Sequence, residues 1–148
     1  MINKQTVPVL LVEDNPDHAE LTMKTLSRGK LLNKIYWVKD GEEALHFLFH
    51  EGIYKNGSDA PRPGLILLDI RLPKVDGIEI LRRVKHDPNL SAIPVVMLTT
   101  SDRGEEVSES YRLGANSYIT KPVRFAEFVE KIETVELYWL LTNTLPKE

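Results

Sequence analysis

Short apolar runs alternate along this chain with segments whose apolar residues recur at helical spacing. Val7 to Val12, Ile35 to Val38, Leu65 to Asp69, Pro94 to Leu98 and Ser117 to Thr120 are the runs. They are too short for helices and mostly lack polar alternation, which predicts strands of a parallel sheet buried on both faces. Asn15-Pro16 predicts a helix start, because Asn caps well and the missing N–H of Pro would be unbonded in the first turn anyway. That helix carries Leu21, Met23 and Leu26 and stops near Arg28-Gly29. Asp40-Gly41 leads into a second, with Ala44, Leu45, Phe47 and Leu48 as its buried side. A third runs from Gly77 to about His86, with Ile78, Leu81 and Val84 on one face and Asp87-Pro88 ending it. A fourth covers Glu105 to Leu113, where Gly114 suits a left-handed cap. The last covers about Arg124 to Leu141.

Alternating strands and helices imply an α/β, doubly wound, five-stranded parallel sheet covered on both faces. Right-handed crossovers put every strand's C-terminal end on one edge. In the order 2-1-3-4-5 the first and third strands lie side by side at the switch point, where such sheets bind ligands. That edge then collects Glu13-Asp14, Asp69, Thr99-Thr100 and Lys121. From Glu51 to Gly64 the pattern breaks into a Gly- and Pro-rich loop, long for a compact domain.

Composition narrows the field. The 148 residues, 42% hydrophobic and 28% charged, suit one globular domain, 1–148, with no linker to a second. No cysteine is present, so thiolate catalysis and Cys-based metal sites are excluded. A net charge of -3 with mixed signs argues against a nucleic-acid footprint. The early run Val9-Leu10-Leu11-Val12 is too short for a leader or a membrane span, which makes the cytoplasm the expected location.

Asp69 is the candidate for chemistry. Three crowded carboxylates, Glu13, Asp14 and Asp69, repel one another unless a cation sits among them, and hard oxygen donors favour Mg²⁺. A phosphoryl group there would meet a metal, a hydroxyl and an ammonium, the parts needed for phosphoryl transfer. A carboxylate can itself be the nucleophile, forming an aspartyl phosphate. Each piece alone has an ordinary explanation: acidic pairs often start helices, and strand-end Thr and surface Lys are commonplace. Their joint placement at four strand ends carries the argument.

The chain resembles the response-regulator receiver domains of two-component signalling over roughly residues 7–140. Leu11-Val12-Glu13-Asp14-Asn15 matches the acidic pair, and Leu67-Leu68-Asp69-Ile70-Arg71-Leu72-Pro73-Lys74-Val75-Asp76-Gly77 matches the phosphoacceptor segment. Leu98-Thr99 matches the switch hydroxyl and Thr120-Lys121-Pro122 the lysine with its typically cis proline. The separations, 30 positions from Asp69 to Thr99 and 22 from Thr99 to Lys121, are those usual in the family. The resemblance implies a flavodoxin-like receiver fold and a signalling protein rather than an enzyme. It implies phosphorylation of Asp69 by a sensor histidine kinase. Mg²⁺ would be held by Asp14, Asp69 and the Arg71 carbonyl, with Glu13 acting through a water. Thr99 and Lys121 would contact the phosphoryl oxygens. Thr99 would then move, Tyr118 would turn inward, and the surface around the fourth helix, fifth strand and fifth helix would switch.

Arg71 and Thr100 depart from the commonest family pattern and flank the route of an attacking water, so both are expected to set the phosphate lifetime. A phosphatase of the haloacid-dehalogenase type would need an Asp where Arg71 stands. A receiver-like module that never carries phosphate would not need the intact Asp14, Asp69, Thr99 and Lys121.

Phe125, Phe128, Val129, Ile132, Val135 and Trp139 form a helical stripe, and Leu137-Tyr138-Trp139-Leu140-Leu141 is apolar all round. A second copy of the chain is the expected cover, with Phe125, Phe128, Ile132, Tyr138 and Trp139 as dimer candidates on a C-terminal extension of about 137–148. The long loop and the tail also resemble stand-alone response regulators of bacterial phytochromes, which implies a light-regulated kinase. His18, His46, His50 and His86 show no site-like grouping and read as surface or helix-packing residues. With no output domain expected, signalling would pass through protein contact.

Overall fold

The strands set the architecture, because three of them are buried at every position. In the computed structural model, which describes residues 8–27, 34–100 and 104–133, the strands are β1 (Val9–Val12), β2 (Ile35–Val38), β3 (Leu65–Asp69), β4 (Val95–Thr99) and β5 (Ser117–Thr120). β1, β3 and β4 are buried throughout. The sheet is parallel in the order β2-β1-β3-β4-β5. β1 and β3 pair in register, Val9 beside Leu65 and Val12 beside Leu68, so the residues following them emerge together. Asp69 pairs with Leu98, which brings Thr99 to the same edge. Thr99 closes β4, one residue beyond the run read from sequence, because its carbonyl accepts from the Lys121 N–H at 2.7 Å.

The helices are α1 (Pro16–Ser27), α2 (Gly41–Phe49), α3 (Gly77–His86), α4 (Gly104–Arg112) and α5 (Phe125–Glu133). Successive strand residues face opposite ways, so the sheet builds two cores. Leu10, Val12, Ile66, Leu68, Val95 and Met97 meet α2 and α3 through Leu45, Phe47, Leu48, Ile80, Leu81 and Val84. Val9, Leu11, Leu65, Leu67, Val96 and Leu98 meet α1 and α5 through Ala19, Leu26 and Phe128. Each of the larger of these side chains is worth about 1.5–3 kcal/mol relative to exposure. Among the described residues no helix is long and apolar enough to cross a membrane.

Three expectations change. In α1 the buried face is Ala19, Thr22, Thr25 and Leu26, while Leu21 is exposed. A face built on positions 19, 22 and 26 leaves 21 on the far side of a 3.6-residue helix. Phe128 is 1% exposed and packs beside Ile119 and Val123, so it belongs to its own domain's core and offers no surface to a second copy. The segment 51–64 is better ordered than its composition implies. A 3-10 turn at Gly52–Tyr54 sets the Tyr54 ring edge-on to Phe47, centroids 5.1 Å apart, and its hydroxyl donates to Glu43 Oε2 at 2.9 Å. Burial and that carboxylate push the Tyr54 pKa up to about 12. The segment returns through the Gly64 N–H, which donates to the Pro8 carbonyl at 2.8 Å. The fifth helix is described only to Glu133, so Tyr138 and Trp139 lie outside the described residues.

Candidate functional site

β1 delivers its acidic pair in opposite directions. The Glu13 N–H extends the strand ladder to the Val38 carbonyl at 3.1 Å, so Glu13 faces inward and is fully buried while Asp14 is exposed. Two further bonds fix Glu13. Its carbonyl accepts from the Trp37 indole at 2.7 Å, and its Oε2 accepts from the Asn15 N–H at 3.1 Å. Asn15 caps α1 as its type predicts, its Oδ1 accepting from the Asp17 and His18 N–H groups at 2.9 and 3.1 Å.

Asp69 closes β3 and is 5% exposed. Behind it the chain turns tightly, the Gly77 N–H donating to the Ile70 carbonyl at 2.8 Å. A Cβ at Gly77 would lie 2.1 Å from the Asp69 carbonyl oxygen, so α3 can start this close only with glycine. Asp76 caps α3, its carboxylate accepting from the Glu79 N–H at 3.0 Å.

Lys121, from the end of β5, crosses to these carboxylates. Its Nζ donates to Glu13 Oε1 at 2.8 Å and to Asp69 Oδ2 at 2.9 Å, with only 7% of its side chain exposed. The following Lys121–Pro122 peptide bond is cis. Burial disfavours the ammonium, but the bonds to Glu13 and Asp69 outweigh it and raise the Lys121 pKa. Burial also raises Asp69, to about 6; Lys121 opposes that rise and the Glu13 charge adds to it. Asp69 is thus a carboxylate whose burial outweighs the help that Lys121 gives its ionised form.

One oxygen each from Glu13, Asp14 and Asp69 lies within 4.8 Å of the others, a hard-oxygen cluster suited to a divalent cation. A cavity of about 200 Å³ opens above it, lined also by Arg71, Thr99, Thr100 and Lys121. Thr99 is buried and Thr100 exposed. The Arg71 guanidinium turns away to pair with Glu106 of α4 at 3.0 Å. Tyr118, half-buried on β5, meets Tyr111 of α4 edge-on, ring centroids 6.2 Å apart. Phe125 is half-buried at the start of α5.

Three contacts at the site had no sequence signal. His18, read as a surface or helix-packing residue, lines the cavity with Nδ1 3.3 Å from Lys121 Nζ. Trp37 reaches Glu13 from the neighbouring strand, and Glu106 reaches Arg71 from α4. Each joins elements far apart in sequence, and nothing in residue type or spacing marks such a meeting.

Comparison with known proteins agrees with this geometry. Residues 9–133 match the family model of the response regulator receiver domain. The chain is 43% identical over 139 residues to the probable methanogenesis regulatory protein FilR2 of Methanothrix harundinacea, covering 93% of this chain and 86% of that one. It is 41% identical over 138 residues to the response regulator Rcp1 of Synechocystis, covering 93% and 92%. Among solved structures, the bacteriophytochrome response regulator AtBRR superposes with a TM-score of 0.83 at 42% identity, covering 97% of this chain and 99% of that one. The phosphorylated cyanobacterial phytochrome response regulator RcpA gives 0.77 at 40%, covering 97% and 100%. The Mn²⁺-bound form of Rcp1 gives 0.76 at 40%, covering 95% and 99%. Family match, sheet order and acidic cluster lead to one conclusion: the chain belongs to the response-regulator receiver family, as a two-component signalling protein whose near relatives include phytochrome response regulators.

Proposed function

We propose that this protein receives a phosphoryl group on Asp69 from a sensor histidine kinase and passes the signal on through protein contact. The observation that carries the reading is the Lys121 ammonium, bonded at once to Asp69 and Glu13 beneath a three-carboxylate cluster. One Asp69 oxygen attacks the phosphorus of a phosphohistidine, and the P–N bond breaks as the imidazole leaves. Asp14, Asp69 and the Arg71 carbonyl would hold Mg²⁺, with Glu13 acting through a water. When bound, the cation supplies positive charge against the phosphoryl oxygens. Lys121 then donates to a phosphoryl oxygen in place of Asp69, and the Thr99 hydroxyl donates to another. Movement of Thr99 lets Tyr118 leave Tyr111 and turn inward, which changes the exposed face of α4, β5 and α5.

Incubation with acetyl phosphate and Mg²⁺, read by intact mass, tests this. A single phosphoryl adduct that is absent from Asp69→Asn is expected. No adduct, with no response to beryllofluoride, would leave a receiver fold that never carries phosphate.

For the kinase, similarity to AtBRR and RcpA over nearly the whole chain supports a phytochrome as phosphodonor. Similarity to FilR2, a probable methanogenesis regulator, supports a sensor unrelated to light. Phosphotransfer from purified kinases of the source organism separates them: the cognate kinase transfers within seconds to minutes, the others far more slowly. The protein would act as a single receiver domain and as a homodimer through its C-terminal helix, with Phe125, Ile132, Tyr138 and Trp139 as contacts. The all-round apolar pattern of 137–141 supports this assignment. Sedimentation giving a monomer in both phosphorylation states would remove the dimer.

A further inference from the structure

An ammonium group carries three protons and no lone pair, so every hydrogen-bonding neighbour of Lys121 must accept. Glu13 Oε1 and Asp69 Oδ2 take two protons, at 2.8 and 2.9 Å. The third neighbour is His18 Nδ1 at 3.3 Å. The same ring nitrogen lies 3.9 Å from Glu13 Oε2. The two contacts make opposite demands, since a carboxylate would have Nδ1 donate and an ammonium can only have it accept. The shorter contact is to the group that can only donate, and the arrangement that satisfies it has Nδ1 accepting and the ring proton on Nε2. The ring stands on a fixed base, because the His18 N–H donates to Asn15 Oδ1 in the first turn of α1. Its side chain is 45% exposed at the cavity, beside a lysine whose side chain is 7% exposed.

From this geometry we infer that His18 is a positioning residue for phosphorylation, the third anchor that aims the Lys121 ammonium. The inference rests on the reading of Asp69 as phosphoacceptor. When Asp69 forms its bond to phosphorus, negative charge moves outward to the phosphoryl oxygens. Lys121 must then exchange its Asp69 contact for one of them. A lysine stem is flexible, and an ammonium held at one point swings. Glu13 from β1 and His18 from α1 hold it at two points, so only the third proton is redirected. The chemistry of the anchor also matters. A third carboxylate here would add charge beside Glu13, Asp14 and Asp69. An imidazole lone pair accepts the proton without adding negative charge.

The test uses the full chain carrying His18→Ala and His18→Gln, and Lys121→Ala with and without His18→Ala. Phosphorylation by acetyl phosphate, Mg²⁺ affinity and thermal unfolding are measured for each. His18→Ala is expected to slow phosphorylation by about three- to tenfold, the effect of one ordinary lost hydrogen bond. Mg²⁺ affinity and unfolding temperature should stay near those of the parent. His18→Gln, which keeps a neutral acceptor, should recover most of the rate. In the Lys121→Ala background, removing His18 should cost nothing more. Unchanged rates in His18→Ala, or an equal loss in both lysine backgrounds, overturns the inference. A second measurement needs no phosphate: nitrogen-15 NMR of the Lys121 ammonium should show faster proton exchange with water in His18→Ala, and unchanged exchange also overturns it. Failure of the parent chain to take a phosphoryl group on Asp69 would strike the reading of the site instead, and the exchange measurement tells the two failures apart.

Discussion

The Trp37 indole donates to the Glu13 carbonyl oxygen at 2.7 Å, so edge strand β2 braces the residue that Lys121 ties to Asp69. Trp37 is 39% exposed, so its worth lies in this bond more than in burial. Trp37→Phe keeps the ring and removes the donor. It should cost about 1 kcal/mol in urea unfolding. Mg²⁺ binding should weaken severalfold as Glu13 loses its brace, which calorimetric titration would measure. Equal affinities in both proteins would confine the bond to a structural role.

Arg71 and Glu106 form the bridge between the loop after Asp69 and α4, at 3.0 Å. Arg71 is largely exposed, and an exposed ion pair contributes about 0.2–1 kcal/mol. Arg71→Asn and Glu106→Gln should therefore speed loss of the aspartyl phosphate modestly, up to about fivefold, as the flank of the cavity loosens. Release of inorganic phosphate after removal of the donor gives the rate. Unchanged rates in Arg71→Asn would show that this side chain does not govern the water. Thr100→Ala, on the other flank, should act in the same direction.

The raised Asp69 pKa, about 6, makes two predictions with a defined sign. The metal competes with the proton, so Mg²⁺ affinity should be level above pH 6 and fall about tenfold per unit below it. In metal-free protein the folded state holds this proton more tightly than the unfolded chain does. Asp69 therefore makes its least unfavourable contribution at low pH, and that contribution worsens as pH rises from about 4 to 6. Asp69→Asn should stabilise the metal-free fold at neutral pH by roughly 1–3 kcal/mol. Saturating Mg²⁺ should narrow the gap. A destabilised Asp69→Asn would mean that the lost Lys121 contact outweighs the relieved charge.

Gly77→Ala places a methyl group where 2.1 Å separates it from the Asp69 carbonyl oxygen. Backbone must move, so a loss of about 1–3 kcal/mol is expected. Phosphorylation should fall further than stability does, because the displaced backbone carries Asp69. The comparison needs only denaturation and adduct formation on the same sample.

Much of this was legible in the chain itself. The sheet order and the meeting of Glu13, Asp14, Asp69, Thr99 and Lys121 follow from where apolar runs stop, since strand ends share one edge. What was illegible concerns side chains that cross between elements. His18 and Lys121 are separated by 103 positions and meet only because α1 begins, and β5 ends, at the same edge of the sheet. Leu21 is exposed although α1 buries its neighbour Thr22, because an apolar residue need not lie on the buried face, and the chain does not reveal which face turns inward. Phe128 was assigned to a partner for the same reason, although β5 and the turn after Lys121 cover it from within.

The insertion at 51–64 joins β3 where that strand begins, and the carboxylates sit where it ends. Five residues of strand, about 17 Å, keep the two apart. Ile53 projects from the 3-10 turn at 81% exposure while Tyr54 pins the turn to α2. The molecule therefore carries a built-in handle: a fluorophore, an affinity tag or a whole reporter domain grafted there would ride on the receiver without touching the carboxylate cluster.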